Sequence, residues 1–258
     1  MNHVTMLGED EVPLPPIELM RTVGPVDPDF YRNPHRVDVF GHERPGIDYS
    51  GVFDLGCGCG RLARQMMFQR SPPETYVGVD LNPHSIAWCR ANLAPARPGL
   101  RFDHLDIFNR GLNPAGSRQP LPFPAADGGA SLVIAHSVFT HILQPEVAHY
   151  MSECARVMRR PGGLFRSTWF LFDKALFPMP QDFQNALYIN LDDPTNAVVY
   201  DLGFVRGLFD SVGLTIVQAI PPEVRGFQWI LYAVPAGEGP AAAFPDDDAP
   251  LGRMAPPS

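Results

Sequence analysis

Val52-Phe53-Asp54-Leu55-Gly56-Cys57-Gly58-Cys59-Gly60-Arg61, followed about 20 residues on by Tyr76-Val77-Gly78-Val79-Asp80, decides the fold of this chain. A short apolar run of strand type ends in three alternate glycines, a helical pattern follows, and a second apolar run ends in a carboxylate. That succession spells strand, turn, helix, strand, with the glycines letting the backbone turn tightly and approach a ligand closely. The helix that follows offers unpaired N–H groups at its start. Asp80, at the carboxyl end of the second strand, is placed to accept hydrogen bonds from two ribose hydroxyls. The stretch therefore reads as a nucleoside-cofactor site.

Spacing separates two cofactor types. A dinucleotide fingerprint sets its third glycine after two intervening residues, so that a pyrophosphate faces the helix start. Here Gly56, Gly58 and Gly60 alternate singly and Asp54 precedes them. A carboxylate at that place repels phosphate and suits the ammonium of an amino-acid moiety, directly or through water, as in S-adenosylmethionine. The motif acid-x-Gly-x-Gly-x-Gly resembles the first motif of class I S-adenosylmethionine-dependent methyltransferases, and the resemblance runs over residues 50–235. It implies a Rossmann-like, doubly wound α/β fold with a seven-stranded, mostly parallel sheet whose last strand is antiparallel.

The 258 residues suffice for one such domain with appendages. A formal charge of -8 and the lack of a Lys/Arg cluster argue against nucleic acid as partner or substrate. Four cysteines, two of them inside the glycine turn, form neither a disulfide framework nor a zinc-ligand spacing, which fits reduced thiols in a cytoplasmic protein. No stretch approaches the roughly 18 to 20 apolar residues of a membrane span. The expected layout is a flexible segment over residues 1–16, a helical cover over 17–46, the cofactor-binding domain over 47–236 and a disordered tail over 237–258.

Strands are expected over residues 50–55, 75–80, 100–105, 130–135, 164–172, 214–220 and 226–234. Helices are expected over 17–22, 28–40, 61–69, 83–93, 146–158 and 203–212, and residues 173–200 read as a long loop. Leu81, just past Asp80, is expected to lie along the adenosine. Asp106 can accept from the adenine amino group, with Ile107 packing on the ring. Phe30, Tyr31 and Phe40 line a substrate pocket or pack as core, and Phe139 and Trp169 wall the pocket or pack as core. The place where many related enzymes carry an acid at the start of the fourth strand is held by Ser131.

Methyl transfer to a hydroxyl needs a group to take the proton, and His141 is the candidate general base because its ordinary pKa lies near working pH. His136, five residues earlier, is a second candidate base and a contact to the methionine part. The competing role for His141 is capping or packing the next helix. Ser137-Val138-Phe139-Thr140-His141 resembles a subset of bacterial methyltransferases associated with glycan or secondary-metabolite modification. Asp173, Asp192 and Asp193 offer oxygen atoms to a divalent ion, but adjacent loop acids are usually solvated and no metal is assigned. The leading expectation is O-methylation of a small-molecule or saccharide hydroxyl. N- or C-methylation, a non-catalytic cofactor-binding partner and, last, an NAD-linked oxidoreductase are the alternatives, and oligomeric state is open.

Overall fold

The computed structural model describes residues 7–176, 180–223 and 227–244. The chain divides into two compact units, Met1–Leu132 and Val133–Ser258. In the first, β1 (Gly51–Leu55), β2 (Thr75–Asp80) and β3 (Leu100–His104) pair in parallel with β2 in the middle, Leu55 opposite Val79 and Asp80 opposite His104. Every residue of β1 is buried, as the continuous apolar run of a parallel strand covered on both faces requires.

Three helices accompany these strands: α1 (Ile17–Val23), α2 (Arg61–Met67) and α3 (Pro83–Asn92). Asn82 caps α3, its Oδ1 accepting from the N–H groups of His84 and Ser85 at 3.0 and 3.3 Å, and Pro83 follows where its missing N–H costs nothing. The helix expected over 28–40 is only a 3₁₀ turn, Pro28–Tyr31. Asn33 ends it: Pro34 disfavours helical backbone at the residue before it, and the Asn33 side chain instead clasps Val37, accepting from its N–H at 2.9 Å and donating to its O at 2.7 Å.

Of residues 1–16, read from the sequence as flexible or draped on the surface, Glu9–Val12 lies on α2. Residues 1–6 lie outside the described ones. Arg64, on the buried face of α2 and 2% exposed, donates from Nη1 to Glu9 Oε1 (3.0 Å) and Tyr31 O (2.7 Å), and from Nη2 to Glu9 O (2.8 Å) and Val12 O (3.2 Å). A guanidinium's fixed fork is suited to such a set of oxygens, and here it gathers the N-terminal segment onto one helix. Of the aromatics in this region, Tyr31 and Phe40 are core and Phe30 is exposed.

The second unit holds β4 (Leu132–Ala135), α4 (Gln144–Val157), β5 (Leu164–Phe172), β6 (Ala186–Tyr188), β7 (Val198–Asp201), α5 (Leu202–Ser211), β8 (Leu214–Ile220) and β9 (Trp229–Pro235). Apolar side chains at 147, 150, 151, 154 and 155 give α4 one buried face. β9 runs antiparallel to both β5 and β8, the antiparallel final strand expected from the sequence. Long, buried β5 pairs with β9 along Phe165–Trp169 and with β7, in parallel, along Phe170–Phe172.

All seven expected strands are present, and the class is the Rossmann-like, mostly parallel α/β sheet. Within the stretch read as a loop, residues 173–200, β6 and β7 add an antiparallel pair, Ala186 opposite Tyr200. Ala186-Leu187-Tyr188 and Val198-Val199-Tyr200 are short apolar runs with β-branched and aromatic residues, too brief to stand out from the prolines and acids between them. Phe177 lies outside the described residues. So do residues 245–258 of the tail; before them Ala242 donates to Ile216 O at 2.8 Å, so the tail's start runs along β8.

Candidate functional site

The glycine turn is built as its spacing demands. Gly56, Gly58 and Gly60 have φ of 74°, 53° and 78°, all in the left-handed region where an L side chain is strained. The turn is bolted to the end of β2: Gly56 N–H and Cys57 N–H both donate to Val79 O, at 2.8 and 3.0 Å. A Cβ on Gly58 would stand 2.2 Å from Val23 Cγ1 at the end of α1, so the N-terminal segment lies against the turn.

Gly58 is gripped on both sides of its backbone. Its N–H donates to Asp80 Oδ2 at 2.8 Å, while the thiols of Cys57 and Cys89 donate to its carbonyl at 3.7 and 3.6 Å. Burial pushes the Cys57 and Cys89 thiols up, so both stay protonated donors, and the pair of loop cysteines finds its use in holding the turn. The third thiol, Cys59, is 3.8 Å from the hydroxyl of fully buried Tyr31.

Asp80 accepts a second backbone bond, from Asn82 N–H to Oδ1 at 2.7 Å. Loss of hydration raises its carboxyl above the ordinary range, opposed by those two N–H donors and by His104. Two carboxylate oxygens carry about four acceptor positions. With two taken by backbone, Asp80 is half-buried and still able to receive a diol. A glycine-rich turn whose two cysteine side chains are buried, beside a fixed, accepting carboxylate, fits a nucleoside with an amino-acid arm.

Asp54, the acid ahead of the glycines, is 1% exposed and accepts from the hydroxyl of Tyr76. Burial first, and the Asp54 charge second, hold the Tyr76 phenol protonated as that donor. Asp106 is exposed and takes Asn113 Nδ2–H on Oδ1 at 2.9 Å, while Asn113, 6% exposed, also donates to Ile107 O at 3.0 Å. Ile107 is half-buried beside it, and Leu81 is held through its carbonyl, which accepts from His104 Nε2 at 3.0 Å. Asn113 and His104 are supporting residues that the sequence reading did not single out. Ser131 serves the backbone: its hydroxyl accepts from Gly51 N–H at 2.9 Å and donates to Asp48 O at 2.8 Å.

In the second unit the two histidines are opposites. Arg166, buried on β5, donates from Nη1 to His136 Nδ1 at 3.1 Å. A guanidinium only donates, so Nδ1 accepts and the neutral ring carries its proton on Nε2. In that arrangement His136 presents an N–H donor at Nε2. His141 is exposed and its Nδ1 lies 2.8 Å from Thr195 O. A carbonyl only accepts, so Nδ1 carries the proton and the neutral ring keeps its lone pair on Nε2, which is the tautomer a general base needs.

Ser137, directly after His136, has φ 58° without being glycine. Three hydrogen bonds close a ring that holds it there: Ser137 N–H to Thr168 Oγ1 (2.7 Å), Thr168 Oγ1–H to Gln228 Oε1 (2.6 Å) and Gln228 Nε2–H to Ser137 Oγ (2.7 Å). Strain of this kind after a strand end collects at functional positions. Phe139 and Trp169 stack at 4.3 Å with both rings fully buried, so they are core and not pocket walls. Among the loop acids, Asp173 accepts from Ala175 N–H at 2.9 Å, Asp193 from Thr195 Oγ1 at 2.7 Å, and Asp192 is exposed. Among the described residues no three His, Cys, Asp or Glu stand together as a metal cluster. An open groove of about 630 Å³ is lined by Asp173, Lys174, Asp182, Asp201, Arg206 and others. Its charged walls are unlike the mostly apolar cleft that a nucleoside takes, and none of the glycine-turn residues line it.

Residues 52–163 match the family described as methyltransferase domain. Over 140 residues the chain is 33% identical to a curated fatty-acid O-methyltransferase of Mycolicibacterium smegmatis, a match covering 53% of this chain and 43% of that protein. In fold it is similar to a SAM-dependent methyltransferase from Methanosarcina mazei, with a TM-score of 0.50, 15% identity and 78% of this chain and 98% of the other covered. It is also similar to an O-methyltransferase from neocarzinostatin biosynthesis, solved with S-adenosylmethionine and 2-hydroxy-5-methyl naphthoic acid, with a TM-score of 0.50, 16% identity and 77% and 53% covered. The family match begins at Val52, on the strand that leads into the glycine turn, so the glycine turn and Asp80 both fall inside the stretch that is similar to a methyltransferase domain, with S-adenosylmethionine as the cofactor.

Proposed function

We propose that the protein methylates an oxygen of a small organic acid, using S-adenosylmethionine. The observation that carries this reading is the 33% identity to an O-methyltransferase over a segment of 140 residues. A carboxyl acceptor takes precedence over the small-molecule or saccharide hydroxyl expected from the sequence, because that relative is named for a fatty acid. The cofactor supplies an electrophilic methyl group on sulfonium. Asp80 holds the ribose, Asp106 the adenine amino group and Leu81 and Ile107 the base faces. Gly56, Gly58 and Gly60 hold the turn backbone at positive φ beside the methionine arm, and Asp54 favours its ammonium through the turn. His136 donates from Nε2. No helix among the described residues is long and apolar enough to cross a membrane.

A carboxylic acid is already ionised at neutral pH, so its methylation is chiefly a matter of holding oxygen and methyl in line. A hydroxyl needs its proton removed. His141→Ala therefore distinguishes the two: kcat toward a carboxylate should fall less than about tenfold, whereas kcat toward a hydroxyl should fall about 100-fold, with the cofactor Kd unchanged in both. The function itself is tested by incubating the purified protein with methyl-labelled cofactor and a panel of carboxylic acids, phenols, saccharides and amines, then locating the label by mass spectrometry. Label on nitrogen or carbon, or no transfer to any acid, rejects the reading.

A further inference from the structure

Five of the eleven exposed large apolar side chains among the described residues fall in the single excursion between β5 and α5: Leu176 (57% exposed), Phe183 (74%), Leu187 (37%), Ile189 (68%) and Leu191 (85%). Along 186–191 exposure alternates. Ala186 is buried and Tyr188 and Asn190 are half-buried, so Leu187, Ile189 and Leu191 form an outward apolar ladder. Leu187 stands on β6, which ends at Tyr188, and Ile189 and Leu191 stand in the bend that follows it. An ordinary edge strand is protected by placing charges outward, and this one does the reverse.

The ladder is fixed to the segment that bears His141. Val198 N–H donates to Thr140 O (2.8 Å), Tyr200 Oη–H to Ile142 O (2.7 Å), Gln144 Nε2–H to Phe183 O (3.1 Å) and Asn185 N–H to Gln144 Oε1 (3.0 Å), besides the His141–Thr195 bond. Those bonds make the excursion and the 140–144 segment one piece. Resting on the acid-methylating function above, we infer that this ladder takes up the hydrocarbon chain of the methyl acceptor. The substrate class is then a medium- to long-chain aliphatic carboxylic acid. Charge decides among occupants: Asp182, Asp192 and Asp193 border the ladder in sequence. Carboxylates there repel the anionic lipids of a bilayer surface and, in a second copy, one another. An uncharged chain with its carboxyl end directed away from them meets no such cost.

The test measures Kd for hexanoate, octanoate and dodecanoate on the full chain with S-adenosylhomocysteine present, by calorimetry below the micelle threshold. Affinity should rise roughly threefold to fourfold per methylene added, the ratio for burying one methylene. Leu191→Asp and Ile189→Asp should each weaken dodecanoate at least tenfold while hexanoate and S-adenosylhomocysteine bind as before. Equal affinity for the three acids, or an unaltered chain-length dependence in both variants, overturns the inference. So does cosedimentation with phosphatidylcholine vesicles that the variants abolish while dodecanoate binding persists, or a halved mass in the ultracentrifuge for Leu191→Asp. Ladder-dependent dodecanoate binding without methyl transfer would retain the site and reject the acid-methylating function. Methylation indifferent to chain length would do the opposite.

Discussion

Arg64→Met should lower the folding stability by roughly 3 kcal/mol, and with it the melting temperature by about 6 to 12 °C for a chain of this size. Met preserves the aliphatic bulk and helix propensity of α2, so the loss isolates the guanidinium. What remains is a set of oxygens, Glu9 Oε1 and the carbonyls of Glu9, Val12 and Tyr31, that had shared one cation in a place 2% exposed. Leaving such acceptors without their donor costs more than any bond between exposed groups. Arg64→Lys should recover part of the stability, since an ammonium keeps the charge and lacks the fork. Thermal denaturation gives the magnitude and limited proteolysis the location, with the first new cuts expected N-terminal to Tyr31. An unchanged melting temperature in the Met variant would show that Glu9–Val12 is held by its apolar contacts instead.

Asp80→Ala should weaken S-adenosylhomocysteine binding by ~10- to 150-fold, the loss of charge-assisted hydrogen bonds worth roughly 1.5 to 3 kcal/mol. Part of that loss is indirect, because Asp80 also fixes Gly58 and Asn82 through their N–H groups. Asp80→Asn keeps an acceptor and the shape, so it should fall between wild type and Ala. Burial holds the Asp80 carboxyl above the ordinary range, and the ionised form is the one that accepts. Cofactor affinity should therefore be intact above that raised pKa and decline as pH falls through it. Calorimetry across pH checks both statements. A pH-independent Kd, or an Ala variant that binds like wild type, removes Asp80 from the ribose.

The glycine turn and the helix start after Asp80 were legible because such features leave marks one residue wide. Alternate glycines announce backbone at positive φ, and all three are there. Asn82-Pro83 announces a helix start, and α3 begins there. What stayed hidden depends on partners far apart in the chain. Nothing in Arg64 or Glu9 alone tells that they meet across 55 residues. The tautomers of His136 and His141 are set by Arg166 and Thr195, one a donor and one an acceptor, and sequence holds no record of which lies near which ring. Phe139 and Trp169 could be assigned to core only once their rings were seen stacked and closed off. The strands of the 173–200 excursion are three and four residues long, below the length at which alternation separates from chance.

Besides its pairing with β4, β5 divides its length between β9, along its first half, and β7, along its last three residues. The sheet proper is complete without the second of these. The β6–β7 hairpin is an annex joined to β5 by a short parallel seam and to the 140–144 segment by a handful of polar bonds. Loops on such a seam can lengthen, shorten or be exchanged without disturbing the register that sets the glycine turn. A chain laid out in this way can trade about thirty residues between β5 and α5 while the pairing of β5 with β9 stays as it is.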